Sequence, residues 1–510
     1  MQQAQQSAGP PRRAWTLGFK GFALPLEVVL LVVLGTLALT LDITQRPLVD
    51  WDEATYAQVA HETLGSHRVF DLTWNGAPYV KKPPLLFWMV TASFRILGES
   101  EVSARLPSVI AGIGTLLLIY LIAAPVIGRL GGLLAGVLPL GFYFFIARGG
   151  RECATDGPMI FFSTLAIYAL VRGPQKRLWL GVSGMACGLA ILSKGLAGVL
   201  PLIVAAGAFV FIPGFSGAGM GGMIWIIAGA ALTAGPWCLF EALFNYPAFL
   251  ANFLGYETLR RVTTRLEDDQ FGADFALVTF GEEIRHLWPL LLPLAAIAFA
   301  GLRSGLTAGL RRVPPAIWLW LWWLALTLAA SCAVQTRLPW YVLPALIPAA
   351  ILAAAVPTYA LRGGRIRTAS GALALAALVL IALYAPMRWK IINRAMRRER
   401  ALSMPSYVLG MKARAANAVD PGGELFFAGV PLPTLVYYSG MRCNFVETSE
   451  LAHVELVGAE SAPDAISSHD LVLLHSSGKA EVIGNLDREW HWSTDQVQPP
   501  VNAGAAPPTN

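Results

Sequence analysis

Eleven apolar runs of 15–22 residues recur along this 510-residue chain, at 24–41, 105–126, 131–147, 157–171, 178–193, 195–212, 222–242, 286–302, 315–331, 339–356 and 369–387. Runs of that length match the thickness of a bilayer's hydrocarbon core when coiled as helices. The chain is 55% hydrophobic and 14% charged, where an ordinary soluble domain carries about a quarter charged residues. The pattern predicts an α-helical polytopic membrane protein of eleven to thirteen spans. The ten-residue alternating strands of an outer-membrane barrel are absent. The stretch 83–97 is apolar but short, and reads as interfacial.

Charge placement predicts an orientation. Arg12, Arg13 and Lys20 precede the first run and no small-residue cleavage site follows it, so the segment reads as an uncleaved signal anchor. Arg129, then Arg172, Lys176 and Arg177, then Arg303, Arg311 and Arg312, then Arg362, Arg365 and Arg367 fall in loops on the same side as the N-terminus. That side is cytoplasmic by the positive-inside rule. The expected place is a bacterial inner membrane. The net charge of +6 belongs with anionic lipid and gives no argument for nucleic acid.

Composition divides the chain into a cytoplasmic tail at 1–22, a membrane domain at 23–388, a periplasmic α/β domain at 389–496, and a Pro-, Ala- and Gln-rich tail at 497–510 expected to be disordered. In the third part a helix is expected over 403–418, strands around Leu425–Phe427, Asn444–Val446 and Leu471–Leu474, and a helix opening at Pro433. Two outer loops, 42–104 and 243–285, hold much of the remaining charge.

Several residues there bear on chemistry. Asp52 and Glu53 follow the first span by about ten residues. A carboxylate at a poorly hydrated surface can have a raised pKa and serve as a general base. The same two acids also suit the N-terminus of a helix. Lys81 and Lys82, before Pro83 and Pro84, suit a phosphate as point charges, or an anchor beside an interfacial segment. Asp156 opens an apolar run, where capping is the plainer role. Lys194 splits two apolar runs, and Arg337 and Tyr341 begin another, as phosphate ligands or as a belt. Arg148, Arg151 and Glu152 share the short outer connection with Asp156, and the loop 243–285 carries Glu257, Arg260, Arg261 and Glu267–Asp269. Neither the five cysteines nor the seven histidines show metal-ligand spacing, and no Gly-rich phosphate loop is present.

Taken in order, Asp52-Glu53, YVKKPPL at 79–85, GESEVSARLPSVIAG at 98–112, Ala154-Thr155-Asp156, LSKG at 192–195 and RLPWYVLPALIP at 337–348 resemble the polyprenyl-phosphate-sugar-dependent membrane glycosyltransferases of the C-type superfamily. The lipid A aminoarabinose transferases and the protein O-mannosyltransferases are the nearer kin. The resemblance covers about 42–350. It implies that Asp52 activates the acceptor hydroxyl, and that Asp156 lies in the same cavity. It implies a lipid-phosphate site around Tyr79, Lys82, Lys194, Arg337 and Tyr341. Glu53 stands with Asp52 and Asp156 as a candidate catalytic acid, and Arg260 and Arg261 stand with the donor-phosphate ligands. In aminoarabinose transferases the residue before the KPP lysine is commonly acidic and linked to a metal. Here it is Lys81, so a divalent metal is not supported.

These expectations combine into an inverting glycosyltransferase that moves a sugar from undecaprenyl phosphate to a periplasmic-face acceptor. The acceptor would be a lipid A-like glycolipid, a polysaccharide or a protein. A transporter or lipid flippase is the alternative from another class, and an assembly protein with an outer α/β domain is a further one. Transporters place polar groups near the bilayer midplane, whereas the charge here gathers at one mouth.

Overall fold

The structure, a computed structural model, describes residues 16–19, 22–44, 47–174, 176–212, 214–215, 219–265, 274–285, 314–362, 390–394, 403–446, 469–474 and 480–487. The spans expected at 286–302 and 369–387, and the acids Glu267–Asp269, lie outside the described residues.

A short hairpin, β1 (Thr16–Phe19) and β2 (Phe22–Pro25), leads into α1 (Leu26–Thr40). The loop that follows carries α2 (Asp52–Ser66) and a second hairpin, β3 (Thr73–Trp74) and β4 (Ala77–Pro78). The interfacial segment becomes α3 (Leu85–Leu97). Next comes α4 (Glu101–Val137), opened by a Ser100–Ser103 capping box. It is broken at Gly128, whose φ of 86° suits a residue without Cβ. The run expected as one span at 131–147 is not one helix. It leaves α4 at Val137, passes a 3₁₀ turn containing Pro139, and continues as α5 (Tyr143–Ile146) and a π-turn, Ala147–Arg151. A proline there removes a donor and stops the α ladder.

Then follow α6 (Asp156–Arg172), α7 (Leu178–Lys194), α8 (Leu200–Phe211) and α9 (Gly219–Phe244). The second outer loop holds a π-helix, Phe249–Arg260, and α10 (Phe275–Arg285). Two further apolar helices are α11 (Pro315–Ala333) and α12 (Leu343–Arg362). Among the described residues, four helices are long and apolar enough to cross a membrane. A fifth span results if the bent pair Tyr143–Arg151 and Asp156–Arg172 counts as one. Val33, Leu37, Phe211, Leu232 and Phe244 lie exposed on α1, α8 and α9, a surface that water would not tolerate and lipid does.

Near the C-terminus, α13 (Met404–Val419) and α14 (Pro433–Ser439) pack on a four-stranded sheet ordered β6-β5-β7-β8. Its strands are β5 (Glu424–Ala428), β6 (Cys443–Val446), β7 (Asp470–Leu474) and β8 (Ala480–Asn485). β5 and β6 are parallel because α14 carries the chain across between them, while β7 and β8 run antiparallel. Leu409, Phe427, Leu435, Val436 and Leu473 fill the core between helices and sheet.

The α7–α9 contact is the closest helix packing and depends on glycine. Gly184 and Gly188, four residues apart, bring α7 against α9 at such range that a Cβ at Gly184 would meet the Ile226 carbonyl oxygen at 2.1 Å. Gly184→Leu should therefore force the helices apart, at about 1–3 kcal/mol or more. A fall in melting temperature in detergent, set against an unchanged Gly181→Leu (a Cβ at Gly181 meets only Trp225, at 3.8 Å), would check it.

Candidate active site

Asp52 is the first residue of α2, and the residue before it, Trp51, has φ 71° and ψ −106°. Asp52 does not cap the helix through its side chain. Its carboxylate accepts hydrogen bonds from the Tyr56 hydroxyl one turn on (2.9 Å) and from Arg148 Nη1 (2.9 Å). Burial alone would raise this carboxyl, but the charges of Arg148, Lys82 and Lys194 outweigh it and hold the pKa at about 2. The raised value expected of a bilayer-surface base is thus reversed, because three cations face the group. The neighbouring Tyr56 and Tyr79 hydroxyls are pushed well above their ordinary range, by burial and then by the Asp52 charge.

Glu53 turns the other way. It is buried, and both carboxylate oxygens are engaged. Oε1 accepts from Arg105 Nε (2.8 Å) and the Cys153 N–H (2.9 Å), and Oε2 from Arg105 Nη2 (2.9 Å) and the Val49 N–H (3.0 Å). Arg105 also donates to the carbonyls of Ile43 and Pro47, each at 2.9 Å. The structure puts Glu53 in the frame behind the site and not in the cavity.

The same loop is held from the C-terminal side. Asp50 accepts from the Thr434 N–H (2.9 Å) and the Ser406 hydroxyl (3.0 Å), while its own N–H donates to Ser403 Oγ (2.7 Å). The Tyr438 hydroxyl accepts from the Leu48 N–H and donates to Glu101, both at 2.8 Å. The β3–β4 turn is tied down likewise. The Asn75 side-chain amide exchanges two hydrogen bonds with the backbone of Cys443 (2.8 and 3.0 Å), and the Trp74 ring stacks on Phe445. Gly76, at φ 75°, completes that turn, and a side chain there would strike Arg442.

From this hairpin the chain runs directly to Lys81 and Lys82, at the rim of a cavity of about 320 Å³. Lys81, Lys82, Lys194, Arg261, Asp156 and Glu257 line it, with Trp340 and Tyr341. The lining also includes apolar residues, with Leu196, Val199, Leu200 and Ile203 from the start of α8 and the turn before it, and Ala330, Ala333 and Val334 from the end of α11 and the residue after it. Leu196 and Ile203 are also exposed. Inside, Lys82 pairs with Glu257, which also takes Arg261 Nε at 3.0 Å. Lys194 pairs with Asp156. Arg261 donates to the Tyr341 hydroxyl (3.3 Å), Lys194 lies over the Tyr341 ring (5.7 Å), and Arg148 lies over Trp340 (4.1 Å).

Of the residues expected from sequence, the structure brings Asp156, Lys82, Lys194, Arg261 and Tyr341 onto this cavity, with Asp52 in the field of its lysines. Tyr79 is buried behind it against Phe87. Arg337 is buried and does not line it, and Arg260 lies outside over the Tyr256 ring. Asp156 begins α6 but, like Asp52, spends its carboxylate on a cation. Sequence reasoning named Arg148 and Glu257 without placing them in the site. The signal for Glu257 was its i,i+4 spacing to Arg261. Among the described residues no three His, Cys, Asp or Glu side chains come together. With lysine at 81 and each nearby acid engaged by a cation, the residues present do not fit a divalent metal.

Residues 81–218 match the family described as dolichyl-phosphate-mannose-protein mannosyltransferase. A relative from Pseudomonas paraeruginosa, an undecaprenyl phosphate-α-4-amino-4-deoxy-L-arabinose arabinosyl transferase, is 30% identical over 365 residues, 66% of this chain. The chain spans 62% of that relative's length. ArnT from Cupriavidus metallidurans, solved bound to undecaprenyl phosphate, superposes with a TM-score of 0.65 at 19% identity, covering 82% of this chain and 85% of that one. Its apo structure gives 0.61. The fold is that of the polyprenyl-phosphate-sugar-dependent membrane glycosyltransferases. The resemblance read from the motifs holds, and the chain is a multi-pass membrane protein.

The two adjacent acids should separate cleanly on substitution. Glu53→Ala strands Arg105 in the interior, and losing one partner of a buried pair costs about 3–5 kcal/mol. Asp52→Ala should cost far less, since its carboxylate is half-exposed. Denaturation of both variants in detergent would check the difference, and equal loss would refute this division of roles.

Proposed function

We propose that this chain is an inverting glycosyltransferase that takes a sugar from a polyprenyl phosphate and passes it to an acceptor at the periplasmic face of the inner membrane. One observation carries the reading. One cavity is lined both by apolar side chains, which suit a prenyl tail, and by Lys82, Lys194 and Arg261, which suit its phosphate, with Asp52 in the field of those lysines. The Pseudomonas relative is named for an undecaprenyl phosphate-linked aminoarabinose and the ArnT structure holds undecaprenyl phosphate, which supports a donor of this class. A glycolipid related to lipid A, a polysaccharide or a protein would serve as acceptor.

The acceptor hydroxyl attacks the anomeric carbon opposite the phosphate, and the bond between that carbon and the phosphate oxygen breaks. The hydroxyl proton passes to Asp52 or through it to water. The donor phosphate is a diester with one negative charge and leaves with two. Cations already in place stabilise that gain without having to reorganise. Before the donor arrives, Glu257 and Asp156 hold Lys82 and Lys194. Once the phosphate takes the lysines, their pull on Asp52 weakens and the carboxylate becomes more basic. Asp52 is then a weak base in the free protein and a stronger one in the loaded protein.

Asp52→Asn should lower kcat about 10²–10⁴-fold while leaving donor KM and melting temperature nearly unchanged. Full activity would remove Asp52 from the mechanism. Asp52's pKa is depressed from 3.8 to about 2, so the stability its ionised form contributes is present above pH 3.8 and lost as pH falls through about 2. Accordingly kcat/KM, which reports the free protein, should show no Asp52 limb between pH 5 and 7. Lys82→Ala and Lys194→Ala should raise donor KM, with Lys176→Ala as the neutral control.

The proposed arrangement puts the loops 42–104 and 243–285 and the domain 389–496 outside and the N-terminus in the cytoplasm. Ala77→Cys and Val419→Cys should react with an impermeant thiol reagent in intact spheroplasts, and Lys176→Cys only after permeabilisation. The opposite pattern would invert the topology.

A further inference from the structure

We infer that the donor sugar is not a cation: the cavity takes a neutral or acidic sugar and turns away an amino sugar, and Lys81 decides between them. The inference rests on the transferase reading and narrows its substrate.

Four cations and two acids line the cavity, for a net charge of +2. Three of the cations are held by those acids, since Lys82 and Arg261 share Glu257 and Lys194 takes Asp156. Among the described residues Lys81 forms no ion pair and is exposed at the rim. A donor phosphodiester brings one negative charge, which leaves the lined cavity at +1. The sugar is bonded to that phosphate, so it sits within a few ångströms of the lysines that hold it. An ammonium on the sugar would meet like charge where water is scarce and screening weak. Of the nearby carboxylates, Glu257 stays with Arg261 and Asp52 with Arg148; only Asp156 is released as Lys194 turns to the phosphate, and the surplus of +1 already counts its charge. A hydroxyl, in contrast, accepts a hydrogen bond from the Lys81 ammonium, and a carboxylate pairs with it.

The test uses the full chain in nanodiscs and three donors: undecaprenyl phosphate carrying 4-amino-4-deoxyarabinose, glucose or glucuronic acid. Binding is read by competition against undecaprenyl phosphate, and transfer is read to a membrane glycolipid extract. The amino-sugar donor should bind about tenfold or more weakly than the better of the other two. Lys81→Glu should close or reverse that gap, and Lys81→Gln should narrow it. The inference is overturned if the amino-sugar donor binds as tightly as both others, or if Lys81→Glu leaves the ratio unchanged. If the binding order holds and no donor is consumed, the transferase reading fails while the charge selectivity of the cavity stands.

Discussion

The site depends on one buried ion pair. Glu53 and Arg105 sit with almost no exposure and gather the carbonyls of Ile43 and Pro47 and the N–H groups of Val49 and Cys153 around them. Those contacts join the end of the first span, the start of α2, the body of α4 and the approach to α6. Taking two charges out of water is costly, and such a pair is weak evidence for stability in itself. Its effect here is geometric. With Glu53 pinned, the next residue toward the N-terminus, Asp52, turns to Tyr56 and Arg148.

A second set of contacts fixes the same loop from the far end of the sequence. Asp50 is bound by Ser403, Ser406 and Thr434, and Leu48 by Tyr438. Trp51, held between two anchored acids, adopts a backbone that a non-glycine residue seldom visits, and such strain persists only where the surroundings over-determine it. The β3–β4 hairpin that delivers Lys81 and Lys82 is fixed to β6 through Asn75. The C-terminal α/β unit therefore clamps both arms of the site, the acid and the lysines. Burial raises the Asp50 carboxyl above its ordinary value even though its hydrogen bonds oppose the rise, so the clamp is held by a group that costs something to keep charged.

How much of this the sequence could tell depended on distance along the chain. Apolar runs exposed the helices, and strand-like runs at 425–427, 444–446 and 471–474 exposed β5, β6 and β7. Lys82, Lys194, Asp156 and Tyr341 were legible as charged or polar residues at the ends of apolar runs. That Glu53 and Asp52 face different partners was not legible, because neighbours on a helix point about 100° apart, a fact that periodicity cannot turn into partners. Arg105, the partner of Glu53, lies 52 residues away, and Glu257 lies 175 residues from Lys82. Asp50 and Thr434 are 384 apart. Local pattern holds no record of such pairings. The break at Gly128 falls in the gap around Arg129 that separates the runs 105–126 and 131–147, whereas the 3₁₀ turn at Pro139 was hidden for another reason: it falls within an apolar stretch whose composition alone suggests unbroken helix.

The paired acids explain how a cation-rich pocket can persist at the edge of a bilayer. Lysines and an arginine gathered in one poorly hydrated place repel one another and lose hydration, and an empty site of this kind would be expensive to fold. Glu257 and Asp156 offset that cost by holding the cations until an anion arrives. On the proposed reading, that exchange sets a compromise. Stronger internal pairs would make the free protein more stable and the donor weaker, because each lysine must leave its acid to reach a phosphate. One acid for each lysine, Glu257 being shared with Arg261, and Tyr341 as a neutral neighbour of Arg261 and Lys194 keep the cations in position. On the proposed reading, the departing phosphate, with its second negative charge, would be the ligand these residues match best, and that difference between bound donor and departing phosphate would lower the barrier.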